Sequence, residues 1–249
     1  MKPFSFLIIF ILLTIKLTAQ VTKTETINDT LLVKSSLQFS DDFDKDLLSW
    51  NVQNEIAGGS VKFVNDKMEI IANRGCTIWF KRELTGPIMI EYDAVMIDNG
   101  GPLDRVSDLN CFFMASDPND LSEEFINAGA LNGSLGAYNK LKLYYVGLGG
   151  RKNTTTRFRR YPGTGERPML PEHDLRDKKY MLTGNTVNHV KIIVYNNFIQ
   201  YYRNNQLVFD FYDANPFTSG YFGFRTTINH MTVDNFKVYK LSKLNKDKN

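Results

Sequence analysis

Cysteine is scarce, two residues in 249, which is too few for a disulfide scaffold or a four-cysteine zinc site. Histidine is nearly as rare at three residues, and no H-E-x-x-H pair or Cys-His spacing accompanies them, so the usual markers of catalytic zinc are missing. No G-x-S-x-G elbow occurs, which removes the marker of serine hydrolases. The net charge is only +3, so no global field draws the chain to nucleic acid or to an anionic membrane. There is no βαβ alternation, no fixed-period repeat and no linker dividing the body, which argues against parallel α/β architectures and repeat arrays. With 43% hydrophobic and 23% charged residues, disordered, collagen-like and coiled-coil chains are excluded as well.

Aromatic residues are plentiful: 18 Phe, 12 Tyr and 2 Trp, enough for a large β-rich core or a surface that stacks on flat ligands. Residues 1–20 read as a secretory signal peptide, with a basic start at Lys2, an apolar run over 4–13 and a cleavage region at Leu17-Thr18-Ala19-Gln20. No Cys stands at the cleavage site, so a lipid anchor there is not expected. The expected product is secreted or periplasmic, close to neutral, and without a membrane span once cut. Residues 21–37 are rich in Thr, Ser and Asn and read as a flexible leader, leaving 38–249 as one domain. Export bears on Cys76 and Cys111, which lie in strand-like segments. They suit either one disulfide or two buried thiols.

From residue 39 onward the pattern is strand after strand. Short runs rich in β-branched and aromatic residues, bounded by Gly, Asn, Asp or Pro, occur at 60–64, 68–72, 77–81, 88–97, 110–115 and 140–146. Further runs occupy 187–195, 198–203, 206–212, 221–225 and 231–240. Asn196-Asn197 and Asn204-Asn205 predict two hairpin turns, because Asn tolerates positive φ. Only 121–130 suggests helix. The fold class expected is all-β, an antiparallel β-sandwich.

The ends of this domain resemble the concanavalin A-like lectin/glucanase jelly rolls. The likeness is carried by Phe39-Ser40-Asp41-Asp42-Phe43 with Leu48-Ser49-Trp50, by Gly220-Tyr221-Phe222-Gly223-Phe224-Arg225, and by Val233-Asp234-Asn235-Phe236-Lys237-Val238. It covers roughly residues 39–241, and its motifs are structural, shared by lectins, glycosidases and lyases. The middle blocks are similar to those of an uncharacterised secreted bacterial family with polysaccharide-lyase-like members. By resemblance to jelly rolls that bind Ca²⁺ between their first and last strands, Asp41, Asp42 and Asp234 become candidates for a structural Ca²⁺ site. Catalysis is expected to require no cofactor.

The middle of the chain holds more polar side chains than sandwich packing requires. Between Lys140 and Arg167 there are eight basic residues and one acid, Glu166, interleaved with Tyr and Phe. Guanidinium groups grip carboxylate or sulfate in two-pronged fashion, and aromatic faces stack on sugars, so the expected partner is an acidic polysaccharide. The resemblance to jelly-roll lyases implies β-elimination. One group neutralises the C5 carboxylate, a base removes the C5 proton and an acid assists the leaving oxygen. Candidate catalytic residues are His173 or His230 as base, Tyr144 or Tyr161 as acid, and Arg160 at the carboxylate. Asn110, Arg105, Lys142, Arg157, Arg159 and Arg225 are candidate substrate contacts. Two rival readings are a non-catalytic carbohydrate-binding module and a glycoside hydrolase using Glu91 and Asp93. Glycoside hydrolysis needs two carboxylates, but the third acid of the glucanase strand pattern is replaced by Val95.

Overall fold

The computed structural model describes residues 22–27, 31–119 and 122–244, so the expected signal peptide lies outside the described residues. The first strands in chain order are β1 (Thr22–Ile27), β2 (Leu31–Asp41), β3 (Trp50–Asn54), β4 (Ser60–Phe63) and β5 (Met68–Phe80). Next come β6 (Leu84–Thr85), β7 (Ile88–Met96), β8 (Leu109–Ser116), β9 (Lys142–Gly149) and β10 (Thr155–Pro162). The last are β11 (Asp174–Leu175), β12 (Val187–Tyr195), β13 (Phe198–Arg203), β14 (Gln206–Tyr212) and β15 (Ser219–Lys243). Every pairing is antiparallel, as the short alternating runs predict.

Two layers enclose the main core. The front layer runs β3, the second half of β5, the first half of β15, β8, β9, β10 and β11. The back layer runs β4, the first half of β5, the second half of β15, β7, β12, β13 and β14. The layers form one continuous hydrogen-bonded network because β5 and β15 run through both. Their shared register shifts between Thr227 and Asn229, where Ile228 is held at φ 44°, an unusual conformation for a β-branched residue. Between the layers, Ile78, Phe113, Val146 and Phe158 of the front meet Ile70, Tyr92, Ile192 and Val233 of the back. Trp50, on the edge strand β3, closes this core and is stacked on Phe224 at 5.3 Å.

Asp41 accepts hydrogen bonds from the Phe43 amide and from Trp50 Nε1, each at 2.9 Å, and so secures the core's edge rather than facing a cation. Asp234 is paired with Lys67 at 2.6 Å. Asp41, Asp42 and Asp234 thus do not converge as the calcium expectation required. Among the described residues no group of three His, Cys, Asp or Glu could hold a metal ion.

The expected flexible leader is ordered over most of its length. β1 and β2 form a hairpin whose Ile27 and Val33 pack on Met89, Ile193, Tyr239 and Leu241 at the outside of the back layer. Lys23 lies 3.6 Å from Glu91, and Lys191 donates to Glu25 at 3.0 Å. The polar composition hid two apolar residues placed to cover a hydrophobic patch. Both Asn turns form with positive φ, at Asn196 and at Asn204-Asn205. The helix expected near 121–130 is reduced to one 3-10 turn, Glu123–Ile126. Cys76 and Cys111 are free, buried thiols separated by β15, and burial pushes both pKa values up to about 12.

Candidate functional site

Strand alternation assigns side chains in the front layer to two faces. On β9 and β10, Tyr144, Val146 and Phe158 point into the main core. Tyr145 and Tyr161 point to the opposite, concave face. Cross-strand register on that face produces one row of Gln53, Thr77, Arg225, Asn110, Gly147 and Arg157. The adjacent row is Asn51, Trp79, Gly223, Phe112, Tyr145 and Arg159. Gly147 is needed where it stands, since a Cβ there would lie 2.6 Å from the Tyr145 hydroxyl.

Over the β9–β10 end of these rows lies a hollow of about 300 Å³. Arg151, Arg157, Arg159 and Arg167 line it with Tyr145, Tyr161, Asp108 and Leu135. Two of its charges are already answered. Arg157 Nε and Nη2 donate to Asp174 at 2.7 and 3.3 Å, and that contact lowers the Asp174 pKa to about 2. Asp108 accepts from Arg105 and from Ser107, each at 2.7 Å. Arg151, Arg159 and Arg167 have no carboxylate within 4.0 Å among the described residues. Arg159 donates to the Arg167 carbonyl, which brings two like charges together. Its pKa is lowered by burial and by the charges of Arg157 and Arg167.

The rim is conformationally costly. Gly149, Arg151, Lys152 and Asn153 all have positive φ, and Arg151 to Asn153 are non-glycine residues in a left-handed turn. Such a conformation costs about 1–2 kcal/mol per residue. The Asn153 side chain stabilises it by donating to the Leu182 carbonyl at 2.9 Å and accepting from the Leu182 amide at 2.8 Å. The turn carries Arg151 to the hollow.

Buried polar atoms lie unpaired in and beside this region. Asn110 Oδ1, Thr155 Oγ1 and Arg225 Nε have no hydrogen-bond partner among the described residues. Arg225 is only 4% exposed; its Nη1 donates to the carbonyls of Cys76 and Thr226, and it has no carboxylate neighbour within 4.0 Å among the described residues. Burial raises the pKa of both Tyr145 and Tyr161 above the ordinary phenol value, so both stay protonated near neutral pH.

Of the residues singled out from sequence, Tyr161, Arg157 and Arg159 line the hollow, and Asn110 and Arg225 share the concave-face row that ends at Arg157. The others lie elsewhere. Tyr144 is on the core side, where its hydroxyl donates to Asp213 at 2.6 Å. Arg160 faces the same way; it donates to Asp213 at 2.6 Å and lies over the Phe217 ring at 4.2 Å. His173 is buried edge-on against Phe158, Phe209 and Phe211, and burial lowers its pKa. It borders a second, mostly apolar pocket of about 190 Å³, which Arg160 also lines and which meets the arginine hollow at Arg159.

His230 lies at the bend of β15, its ring nitrogens 2.8 Å from Asp104 and 3.1 Å from Glu69. Together with Arg105, which donates to the Thr227 carbonyl, and Asn229, which donates to the Arg105 carbonyl, it ties the loop before β8 onto that bend. Lys142 stands at the far end of the β9–β10 hairpin, beside Glu83, Asp117 and Glu123 in another hollow. Glu91 and Asp93 lie away from the arginine hollow. Glu91 lies against Lys23 at 3.6 Å, and Asp93 against His189 at 2.8 Å and Asn235 at 2.9 Å, on the outside of the back layer. Tyr145, Arg151 and Asp108 were not singled out from sequence. Strand parity relative to Phe158 would have found Tyr145, and the Gly149-Gly150 pair marks the turn that carries Arg151.

Comparison with solved structures finds the same architecture in proteins of low identity. A Bacillus subtilis protein of unknown function with a galectin-like fold is 14% identical, with a TM-score of 0.64 over 90% of this chain and 100% of that one. An endo-beta-1,3-glucanase from Pyrococcus furiosus is 12% identical, with a TM-score of 0.56 over 90% of this chain and 100% of that one. The carbohydrate binding module CBM66 from Bacillus subtilis is 13% identical, with a TM-score of 0.50 over 76% of this chain and 94% of that one. These likenesses establish the concanavalin A-like jelly roll. No curated protein matches the sequence. A family model does match, over residues 70–236, and the chain therefore belongs to the family described as Domain of unknown function (DUF6250).

Proposed function

We propose that this chain is an exported carbohydrate-active protein that binds acidic glycan through the arginine-lined hollow. The observation that carries this reading is the grouping of Arg151, Arg159 and Arg167 around Tyr145 and Tyr161, with no carboxylate within 4.0 Å of the three guanidinium groups among the described residues. Clustered cations, of which Arg159 is partly buried, favour an anionic ligand, because each would gain a charge-assisted hydrogen bond without first breaking an internal ion pair. The phenols supply aromatic surface for a sugar ring. That a carbohydrate binding module and a glucanase share the fold is consistent with this reading.

The test is retention on immobilised acidic polysaccharides and titration with their oligosaccharides. A hydrogen bond to a charged group contributes about 1.5–3 kcal/mol, so Arg159→Ala should weaken binding roughly ten- to hundredfold. Unchanged binding in both Arg159→Ala and Arg167→Ala would overturn the proposal.

Elimination is the second reading, and it rests on Tyr161. Its hydroxyl is buried beside the Arg167 guanidinium on the hollow that also holds Arg159, and burial keeps it protonated, which suits an acid serving the leaving oxygen. The base is the weak part of this reading, since neither His173 nor His230 lines the hollow. New ultraviolet absorbance from unsaturated uronate, abolished by Tyr161→Phe, would favour elimination over binding alone.

A further inference from the structure

On an open concave sheet a polymer could lie across the strands. Here that path would follow the row from Arg159 through Tyr145, Phe112 and Trp79 to Asn51. The Trp79 and Phe112 rings are stacked at 5.6 Å with an 18° angle, a suitable platform for sugar. Both are nevertheless fully buried. Phe125 and Tyr138, from the segment between β8 and β9, meet Trp79 edge-on at 5.6 and 5.9 Å.

Gln53 secures that segment from below. Its Nε2 donates to the carbonyls of Phe125 and Asn127, each at 2.8 Å. Its Oε1 accepts from Trp79 Nε1 at 3.0 Å and from Tyr138 OH at 2.8 Å. A buried amide satisfied on both sides costs free energy to open, because every partner would be left unpaired in an apolar setting. Residues 125–138 therefore form a fixed plug. One of its residues, Leu135, packs on the buried aromatic cluster and also lines the hollow.

The hollow consequently ends against the plug. Its volume of about 300 Å³ is at the bottom of the range for small-ligand pockets, roughly 300–1,000 Å³. It would hold about ten waters at roughly 30 Å³ each, which leaves room for a terminal sugar residue with its carboxylate but not for a chain crossing the sheet.

We infer that the site reads a chain end: it takes a single terminal uronate residue of an acidic glycan and excludes internal residues of a continuous chain. This deepens the anion-binding reading and depends on it.

The experiment is calorimetric titration of the full chain with galacturonate, guluronate, mannuronate and glucuronate oligomers from dimer to hexamer. Affinity is expressed per chain. For any series that binds, dimer and hexamer should agree within twofold, because each molecule offers one usable end, whereas a site accepting any residue would favour the hexamer about threefold on statistics alone. A hexamer threefold or more tighter than its dimer would overturn chain-end recognition while leaving anion binding intact. If no uronate series binds at any length, the anion-binding reading fails and this inference with it.

Discussion

The two faces of the β9–β10 hairpin carry nearly the same residue types one position apart, yet their chemistry differs. On the core side, Arg160 and Tyr144 converge on Asp213, and the Asn215 amide donates to the same carboxylate at 2.9 Å. There every charge is answered, and the hydrogen bonds that Asp213 accepts hold its pKa below the ordinary carboxylate value against the opposing effect of burial. On the concave side, Arg159 stands beside Arg167 and Tyr161 with no carboxylate partner. A paired arginine is part of the scaffold, whereas an unpaired one in a hollow is available to a ligand. Residue type alone does not distinguish them.

The contrast makes testable demands. The largest effect belongs to the closed network: Asp213→Ala strands a buried phenol and a partly buried guanidinium, which should cost about 3 kcal/mol. For a chain of this size that is a fall of roughly 10 °C in Tm, measurable by calorimetry. Arg159→Ala should do the opposite, lowering acidic-glycan affinity about tenfold or more with Tm nearly unchanged. A large drop in Tm for Arg159→Ala would erase the distinction between the faces.

Asp174 gives a smaller, pH-dependent effect. Its folded pKa of about 2 lies below the ordinary 3.8, chiefly because Arg157 donates to it. The stability from this pairing is fully present above about pH 4 and is lost as pH falls through about 2. Melting profiles of wild type and Asp174→Asn should therefore converge as pH drops from 5 to 2. The smallest effect concerns His173, whose pKa is lowered from 6.5 by burial. The unfolded chain binds its proton more readily, so stability should decline as pH falls below 6.5. His173→Phe should flatten Tm between pH 7 and 5. An unchanged slope would place the titrating group elsewhere.

Much of the fold was legible along the chain. The alternation in 88–97, with Ile90, Tyr92 and Ala94 apolar and Glu91 and Asp93 polar, describes a strand buried on one face, and the Asn pairs mark the turns that close β12 to β13 and β13 to β14. The leader's strands are not evident from its composition, because Ile27 and the Leu31-Leu32-Val33 run stand among Thr, Ser and Asn and their burial depends on a patch more than fifty residues away. The candidate site was legible as a composition and not as a geometry. The basic, aromatic stretch around Arg159 is recognisable, and Arg159 and Tyr161 from it line the hollow, whereas Tyr144 and Arg160 lie on the core side against Asp213. In a strand, a shift of one residue exchanges the faces completely. The histidines were chosen for polar neighbours in sequence, yet His173 is surrounded by phenylalanines from β10 and β14.

Local chemistry was enough to specify strands, turns, an antiparallel sandwich and a basic segment within a nearly neutral chain, since these follow from side-chain alternation, backbone preference and charge. The register of β9 against β8 and β10, the plug over Trp79 and the pairing of each arginine depend on contacts between residues distant in the chain. Those long-range contacts settle which guanidinium groups find a carboxylate and which remain open to a ligand.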